Sequence, residues 1–141
     1  MVQRSLTAII KKIEQDLDQV RDEFLRNVAE DLVASSPVDT GTYVRNHSIT
    51  VSSGSGGGQS SHGKPRDNGT ARGDALAKLN GQISGLPEGA TQVHIANRSP
   101  HANKVEYSGW GSKSPYAVFT TVRNRAGIHL QDAINKVKGG Q

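Results

Sequence analysis

Residues 5–35 read SLTAIIKKIEQDLDQVRDEFLRNVAEDLVAS, and apolar residues recur in this segment at every third or fourth position. The segment is the main determinant of the predicted fold. The pattern predicts one long helix, and Pro37 ends it because proline cannot continue the hydrogen-bond ladder. At roughly 1.5 Å per residue this helix is about 45 Å long, more than a small domain usually covers. We therefore expect its apolar stripe to lie along a sheet or to pair with another subunit. The stripe consists of Leu6, Ile10, Ile13, Leu17, Val20, Phe24, Val28 and Leu32.

Composition narrows the class of protein. A length of 141 residues suits one domain, and hydrophobic and aromatic contents of 33% and 4% predict a thin core. A thin core favours stabilisation by neighbouring subunits. Because the chain has no cysteine, disulfides, zinc–thiolate sites and thiol catalysis are excluded. Its apolar runs are shorter than the roughly 18 residues that span a bilayer, so we expect a soluble protein made in a cytoplasm.

Charge is distributed unevenly along the chain, whose formal net charge is +4. Residues 1–36 hold five Lys and Arg against seven Asp and Glu, and residues 37–141 hold twelve against six. The basic remainder could bind DNA or an acidic protein surface. Its charges are scattered and are not interleaved with aromatic residues, which favours an ordinary solvated surface.

Shorter elements are predicted after the long helix. The turn Asp39-Thr40-Gly41 leads into a strand over 42–52, and the Gly- and Ser-rich run 54–73 is too polar to fold alone, so we expect it to be mobile or to order on assembly. The predicted class is α+β, a single domain over 1–141 in which the long N-terminal helix packs on a small antiparallel β-sheet, with a short middle helix and a C-terminal helix. The remaining predicted elements are a helix over 74–84 capped by Asp74 and ended by Gly85, strands over 93–95 and 117–122, and a helix over 125–138 with Leu130, Ala133, Ile134 and Val137 on its buried side.

Three short motifs match known signatures, and each has a simpler explanation. Asp39-Thr40-Gly41 is the triplet of aspartic proteases, but it follows a helix end and not an apolar strand, so we interpret it as a turn. Residues 58–64 match the phosphate-loop pattern G-x-x-x-x-G-K, but Pro65 follows and supplies neither a hydroxyl nor an N–H. Arg72-Gly73-Asp74 is an integrin-type tripeptide in which Asp74 fits better as a helix cap.

Histidine spacing does not indicate a metal site, because the histidines are far apart in sequence and lack helical pairing. Catalysis by a Ser/His/Asp set stays open, although the nucleophile pattern G-x-S-x-G is missing from the sequence. We predict no cofactor, no metal and no enzymatic activity. The histidines are His47, His62, His94, His101 and His129.

Residues 93–122, VHIANRSPHANKVEYSGWGSKSPYAVFTTV, carry the most distinctive pattern, two predicted strands around an E-Y-S-G-W-G-S-K turn. Tyr107 and the single Trp, Trp110, stand among glycines that indicate tight backbone turning. Tyr and Trp dominate the energetics of protein interfaces, so these two residues could anchor an interface. The equal alternative is a plug in the core beneath the sheet.

These pieces occur in the order found in the tail-completion, or neck, proteins of tailed bacteriophages, of the minor tail protein Z type, which the chain resembles over residues 5–138. After the long helix, S-P-V-D-T-G stands at 36–41 with Arg45 beyond it, and an A-L-x-x-L-type helix stands at 75–79. A strand ending I-x-N at 95–97 precedes E-Y-S-G-W-G-S-K at 106–113, in which Ser108 and Gly111 are insertions relative to the family's E-Y-G-W-S-K. A further strand from Pro115 and a terminal helix complete the order.

The resemblance implies a non-enzymatic virion protein, made in the host bacterial cytoplasm and placed at the head–tail junction. Such proteins form homo-oligomeric rings, six-fold or twelve-fold, between the portal or its adaptor and the tail, and the genome passes through the channel. We expect Lys64, Arg66 and Arg72 to contact an acidic ring or DNA, and Tyr107 and Trp110 to contact a neighbouring protein. The alternative is a tail-tube terminator ring; a small DNA-binding module and a hydrolase are less favoured.

Overall fold

The computed structural model describes residues 2–37, 42–51, 70–90, 92–100, 102–109 and 115–139, with the backbone only for 2–11, 13 and 42. The predicted α+β class is confirmed, with helix predominating. The described elements, in chain order, are α1 (Val2–Ser35), α2 (Thr42–Arg45), β1 (His47–Thr50), α3 (Ala71–Ser84), β2 (His94–Asn97), a π-helix (Lys104–Ser108), α4 (Val118–Asn124) and α5 (Ala126–Gly139). Among these helices, none is long and apolar enough to cross a membrane.

The long helix α1 is the element on which α3, α4 and α5 all pack. Val28 and Leu32 of the predicted stripe are buried, and Phe24 is partly buried against the core. Leu17 is 64% exposed, so the stripe is not covered there. The other helices therefore enclose the C-terminal half of α1 most fully. The additional buried residues on that half are Leu25, Ala29 and Val33.

The core consists of two clusters that use neighbouring faces of α1. The first cluster joins α1 to α2, β1 and α3, and the second joins α1 to Tyr43, the π-helix and α4. Phe24 and Ile95 pack against both clusters. The first cluster is Leu25, Ala29, Val33, Val44, Ile49, Ala71, Ala75, Leu79 and Ile83, and the second is Val28, Leu32, Tyr43, Val105, Val118 and Val122.

The sheet is a two-stranded antiparallel pair in which Ser48 lies opposite Ala96 and Ile49 lies opposite Ile95. The predicted strand over 42–52 is wrong at its start, since residues 42–45 form α2. The reason lies in burial: Tyr43 packs in the second cluster and its neighbour Val44 in the first. The predicted turn at 39–41 and residues 54–69 of the predicted loop lie outside the described residues.

Helix α3 starts at Ala71, three residues before the predicted start. Asp74 is not the N-cap; it lies in the first turn, and its carboxylate is 3.2 Å from the guanidinium of Arg45. The earlier start follows from the complete burial of Ala71 in the first cluster. The predicted end is confirmed, because Gly85 is the C-cap.

Helix α4 replaces the strand predicted over 117–122, which is wrong. Val118 and Val122 both enter the second cluster while Thr120 between them is exposed, as a helix allows, whereas a strand would place all three on one face. The turn predicted over 106–113 is likewise wrong at its start, since residues 106–108 belong to the π-helix. Tight turning at Gly109 is confirmed by its φ of 68°, whereas Gly111 lies outside the described residues.

Helix α5 matches the prediction over 125–138 within one residue at each end. Of its predicted buried side, Ala133 is buried, and Ile134 and Val137 are half-buried. Leu130 is exposed, contrary to the prediction. Leu130 thus lies at the edge of the surface of α5 that is covered, and Ala133 lies at its centre.

Candidate interaction site

The predicted aromatic pair divides between a described and an undescribed residue. Tyr107, at the end of the π-helix, is 75% exposed, while Trp110 lies outside the described residues. Farther along the chain, Tyr116 is 52% exposed. We call the described residues 107–109 and 115–116 the aromatic loop. The exposure of Tyr107 contradicts the alternative of a core plug for that residue.

The base of the aromatic loop is closed by two backbone hydrogen bonds to the π-helix. The N–H of Gly109 donates to the carbonyl of Lys104 at 2.8 Å, and the N–H of Ala117 donates to the carbonyl of Val105 at 3.0 Å. Gly109 and Ala117 are therefore both bonded to the first two residues of the π-helix. Glycine suits position 109, the C-cap of the π-helix, because the positive φ there is costly for any residue with a side chain.

Glu106 fixes the start of α4, the helix that follows the aromatic loop. Its buried carboxylate accepts the N–H of Phe119 at 2.8 Å and the N–H of Thr120 at 3.1 Å. The Thr120 hydroxyl donates to the same carboxylate at 2.8 Å. These N–H groups belong to the first turn of α4, where helix donors lack internal partners and negative charge is favourable. The sequence missed this role because Glu106 lies more than ten residues before the helix that it caps.

Ser36, His47 and Asn97 form a buried chain of hydrogen bonds in the order of a catalytic triad. The Ser36 hydroxyl is 2.8 Å from Nε2 of His47, and Nδ2 of Asn97 is 3.2 Å from Nδ1 of His47. The amide orientation of Asn97 follows from its Oδ1, which accepts the N–H of Ser99 at 2.9 Å. Nδ2 is therefore the donor toward His47, and Nδ1 of the imidazole is an acceptor.

This assignment gives His47 the wrong tautomer for activating Ser36. With Nδ1 accepting, Nε2 carries the proton and donates to the serine, whose own hydroxyl donates to the carbonyl of Leu32. Burial, followed by the nearby charge of Lys78, lowers the pKa of His47 to about 4. The imidazole is thus neutral near pH 7, and its Nε2 already carries a proton and cannot receive that of the serine. The trio ties the C-terminal end of α1 to β1 and β2.

A second polar cluster joins α1 to the start of α5. Asp31 lies 2.8 Å from Nε2 of His129 and 2.7 Å from the guanidinium of Arg125. Burial would raise the pKa of Asp31, but hydrogen bonds from His129 and Ser35 and the charge of Arg125 outweigh it and lower that pKa. The Ser35 hydroxyl donates to Asp31 and not to His129. Each group is used in holding the two helices together.

Several basic side chains bond within the fold. Arg72, a predicted contact residue, donates to the carbonyls of Val33 at 3.2 Å and Ser36 at 2.9 Å, so it caps the C-terminal end of α1. Arg21 donates to the carbonyls of Pro87 at 2.9 Å and Ala90 at 3.2 Å, across the connection between α3 and β2. The other two predicted contact residues, Lys64 and Arg66, lie outside the described residues. These internal hydrogen bonds occupy guanidinium N–H donors of Arg21 and Arg72 that could otherwise contact a nucleic acid.

In the described part of the chain, no three His, Asp or Glu side chains converge in a way that would hold a metal ion. No family model, curated protein or solved structure matches the chain.

Proposed function

We propose that the chain is a structural subunit of a homo-oligomeric ring at the head–tail junction of a tailed bacteriophage, the neck through which the genome passes. The observation that carries the proposal is the aromatic loop. It presents Tyr107 to solvent on a base fixed by Glu106 and by the bond between Ala117 and Val105. An exposed aromatic side chain on a rigid base suits a protein–protein contact, because little conformational entropy is lost on binding.

The order of motifs supports the phage setting in particular. The pattern S-P-V-D-T-G at 36–41 precedes E-Y-S-G-W-G-S-K at 106–113, as in neck proteins. The structure gives a reason for two of these residues: Ser36 bonds to His47, and Glu106 caps α4. One residue of each motif therefore stabilises the fold, while Tyr107 beside Glu106 is exposed.

A structural part also fits the chemistry of the buried polar clusters better than an enzyme does. The Ser36, His47 and Asn97 chain is buried and has the imidazole proton on the wrong nitrogen for nucleophile activation. Its partners in the particle are other copies of the chain, the portal or its adaptor, and the tail tube or terminator. Lys64, Arg66 and Trp110 are proposed contact residues in that assembly, with an acidic protein surface or the genome facing the two cations.

The test is assembly of the purified protein, followed by native mass spectrometry and negative-stain imaging. We expect closed rings of the wild type and weaker ring formation by Tyr107→Ser at an unchanged melting temperature, because Tyr107 is exposed. Ser108→Ala changes the adjacent exposed residue and should assemble normally. A wild type that stays monomeric with purified portal and tail-tube proteins, or normal rings of Tyr107→Ser, would count against the proposal. Binding to the tail tube without the portal side would indicate a terminator ring.

A further inference from the structure

The two outer edges of the sheet are not equivalent. The N–H of Ile49 donates to Oε1 of Gln82 at 2.7 Å, so it points toward α3 and away from β2. Hydrogen-bonding direction alternates along an antiparallel strand. Ser48 and Thr50 therefore face β2, where Ala96 and His94 lie opposite them. The outer edge of β1 is closed by α3, which packs along it.

The outer edge of β2 is not covered by any of the residues that the structure describes. The same alternation directs the N–H and C=O groups of Ile95 and Asn97 away from β1. Within the described residues, no group hydrogen-bonds to these outward backbone atoms. Apart from β1, no described helix or strand packs along β2 to any large extent. Unpaired edge groups of this kind are a template for another strand.

The strand is also held rigidly in the position needed for pairing. The side chain of Ile95 packs against both core clusters. The amide of Asn97 donates to the carbonyl of Tyr43 at 2.7 Å and to His47. A strand fixed by its side chains loses little entropy when its backbone edge is paired.

We propose that β2 pairs antiparallel with β2 of a second copy of this chain, which gives a continuous sheet in the order β1, β2, β2 of the second copy, β1 of the second copy. A second copy is favoured because α3 closes the β1 edge in every copy, so two β2 edges are the edges that two copies can join. Identical edges are self-complementary about a two-fold axis. This pairing does not depend on the phage assignment.

The side chains set the register of the proposed pairing. Ala96 lies opposite Ala96 of the second copy at the two-fold axis, in a non-hydrogen-bonded pair whose Cα atoms are about 4.5 Å apart. Ile95 then pairs with Asn97 of the second copy through about two hydrogen bonds, and the symmetric pair forms the same number. The exposed Arg98 residues of the two copies lie four residues apart along the strands, about 13 Å, which exceeds the screening length of about 8 Å at physiological salt.

Cysteine cross-linking tests the register directly, because the chain contains no cysteine. We expect Ala96→Cys to form a disulfide-linked dimer under mild oxidation, since the two Cα atoms fall in the range of roughly 4.4–6.8 Å that a disulfide spans. His94→Cys is the matched control on the same strand, and its two copies would lie about 13 Å apart and should not cross-link. Equal melting temperatures of the reduced variants would show that both fold.

Amide exchange of the wild type provides the second measurement. As concentration rises and dimer accumulates by native mass spectrometry, the amides of Ile95 and Asn97 should become protected. The amide of Ala96, which is bonded to β1, should be protected at every concentration. The proposal is overturned if His94→Cys cross-links as fast as Ala96→Cys, or if Ala96→Cys gives no dimer at millimolar concentration. It is also overturned if the Ile95 and Asn97 amides become protected only when another protein is added.

Discussion

The buried imidazole of His47 makes the stability of the fold depend on pH in a calculable way. Its side chain is almost completely buried, between Ser36 and Asn97, and burial lowers its pKa from 6.5 to about 4. Between these two values the unfolded chain binds a proton at His47 that the folded chain does not bind. The free energy of unfolding therefore falls as pH falls through this window, and this contribution is fully present above pH 6.5.

The expected loss is large relative to the stability of a domain of this size. A His47 pKa of 6.5 in the unfolded chain and of about 4 in the folded chain corresponds to about 3 kcal/mol in the free energy of unfolding, at roughly 1.4 kcal/mol for each pKa unit. Small domains are stable by about 5–15 kcal/mol, so His47 alone removes a substantial part. Asp31 contributes in the same direction but at lower pH, because its pKa is lowered from 3.8.

Urea unfolding between pH 4 and pH 8 measures the effect. His47→Gln should be less stable than the wild type above pH 7, by about 1–3 kcal/mol, because the hydrogen bonds of the trio are disturbed. Its stability should then fall less steeply than that of the wild type between pH 6.5 and 4. His94→Gln replaces an exposed histidine and should keep the wild-type slope. Identical slopes for His47→Gln and the wild type would show that His47 does not cause this pH dependence.

Two further substitutions test the polar contacts that define the loop base and the end of α1. Glu106→Gln leaves one carbonyl acceptor where a carboxylate accepted three hydrogen bonds, so we expect the free energy of unfolding to fall by about 1–2 kcal/mol in thermal unfolding. Ser108→Ala is the neutral control, and a change below about 0.3 kcal/mol for Glu106→Gln would contradict the capping role. Arg72→Ala removes two hydrogen bonds to carbonyls at the C-terminal end of α1 and should lower the free energy of unfolding by about 1 kcal/mol. Lys104→Ala removes an exposed cation and should change it very little. Equal stabilities of the two variants would contradict the capping role of Arg72.

The helices with long apolar periodicity were predictable from the sequence. The end of α1 was predicted to the residue, its start within three residues, and both ends of α5 within one, because their patterns extend over several turns and Pro37 or the final glycines limit them. The end of α3 was also readable, from Gly85. Its start was not, because Ala71 and Arg72 join the helix through contacts with α1 and α2 that local sequence does not reveal.

The errors share one physical cause, which is long-range contact that overrides local propensity. Residues 117–122 are rich in β-branched and aromatic types, yet they form α4 because Glu106 satisfies its first N–H groups and Val118 and Val122 fill one cluster. The buried chain around His47 was equally hidden, since Ser36 and Asn97 lie far from it in sequence and meet only in the folded chain. The neighbouring glycines indicate a tight turn near Tyr107, but they do not determine whether its side chain faces the core or the solvent.

Because α1 serves both clusters with adjoining rows of side chains, it cannot rotate or slide to relieve crowding in one without disturbing the other. Ile95 of β2 touches both as well. A displacement of β2 would therefore affect both clusters at once. The two clusters are therefore coupled through α1 and Ile95, although they are separate in their buried contacts.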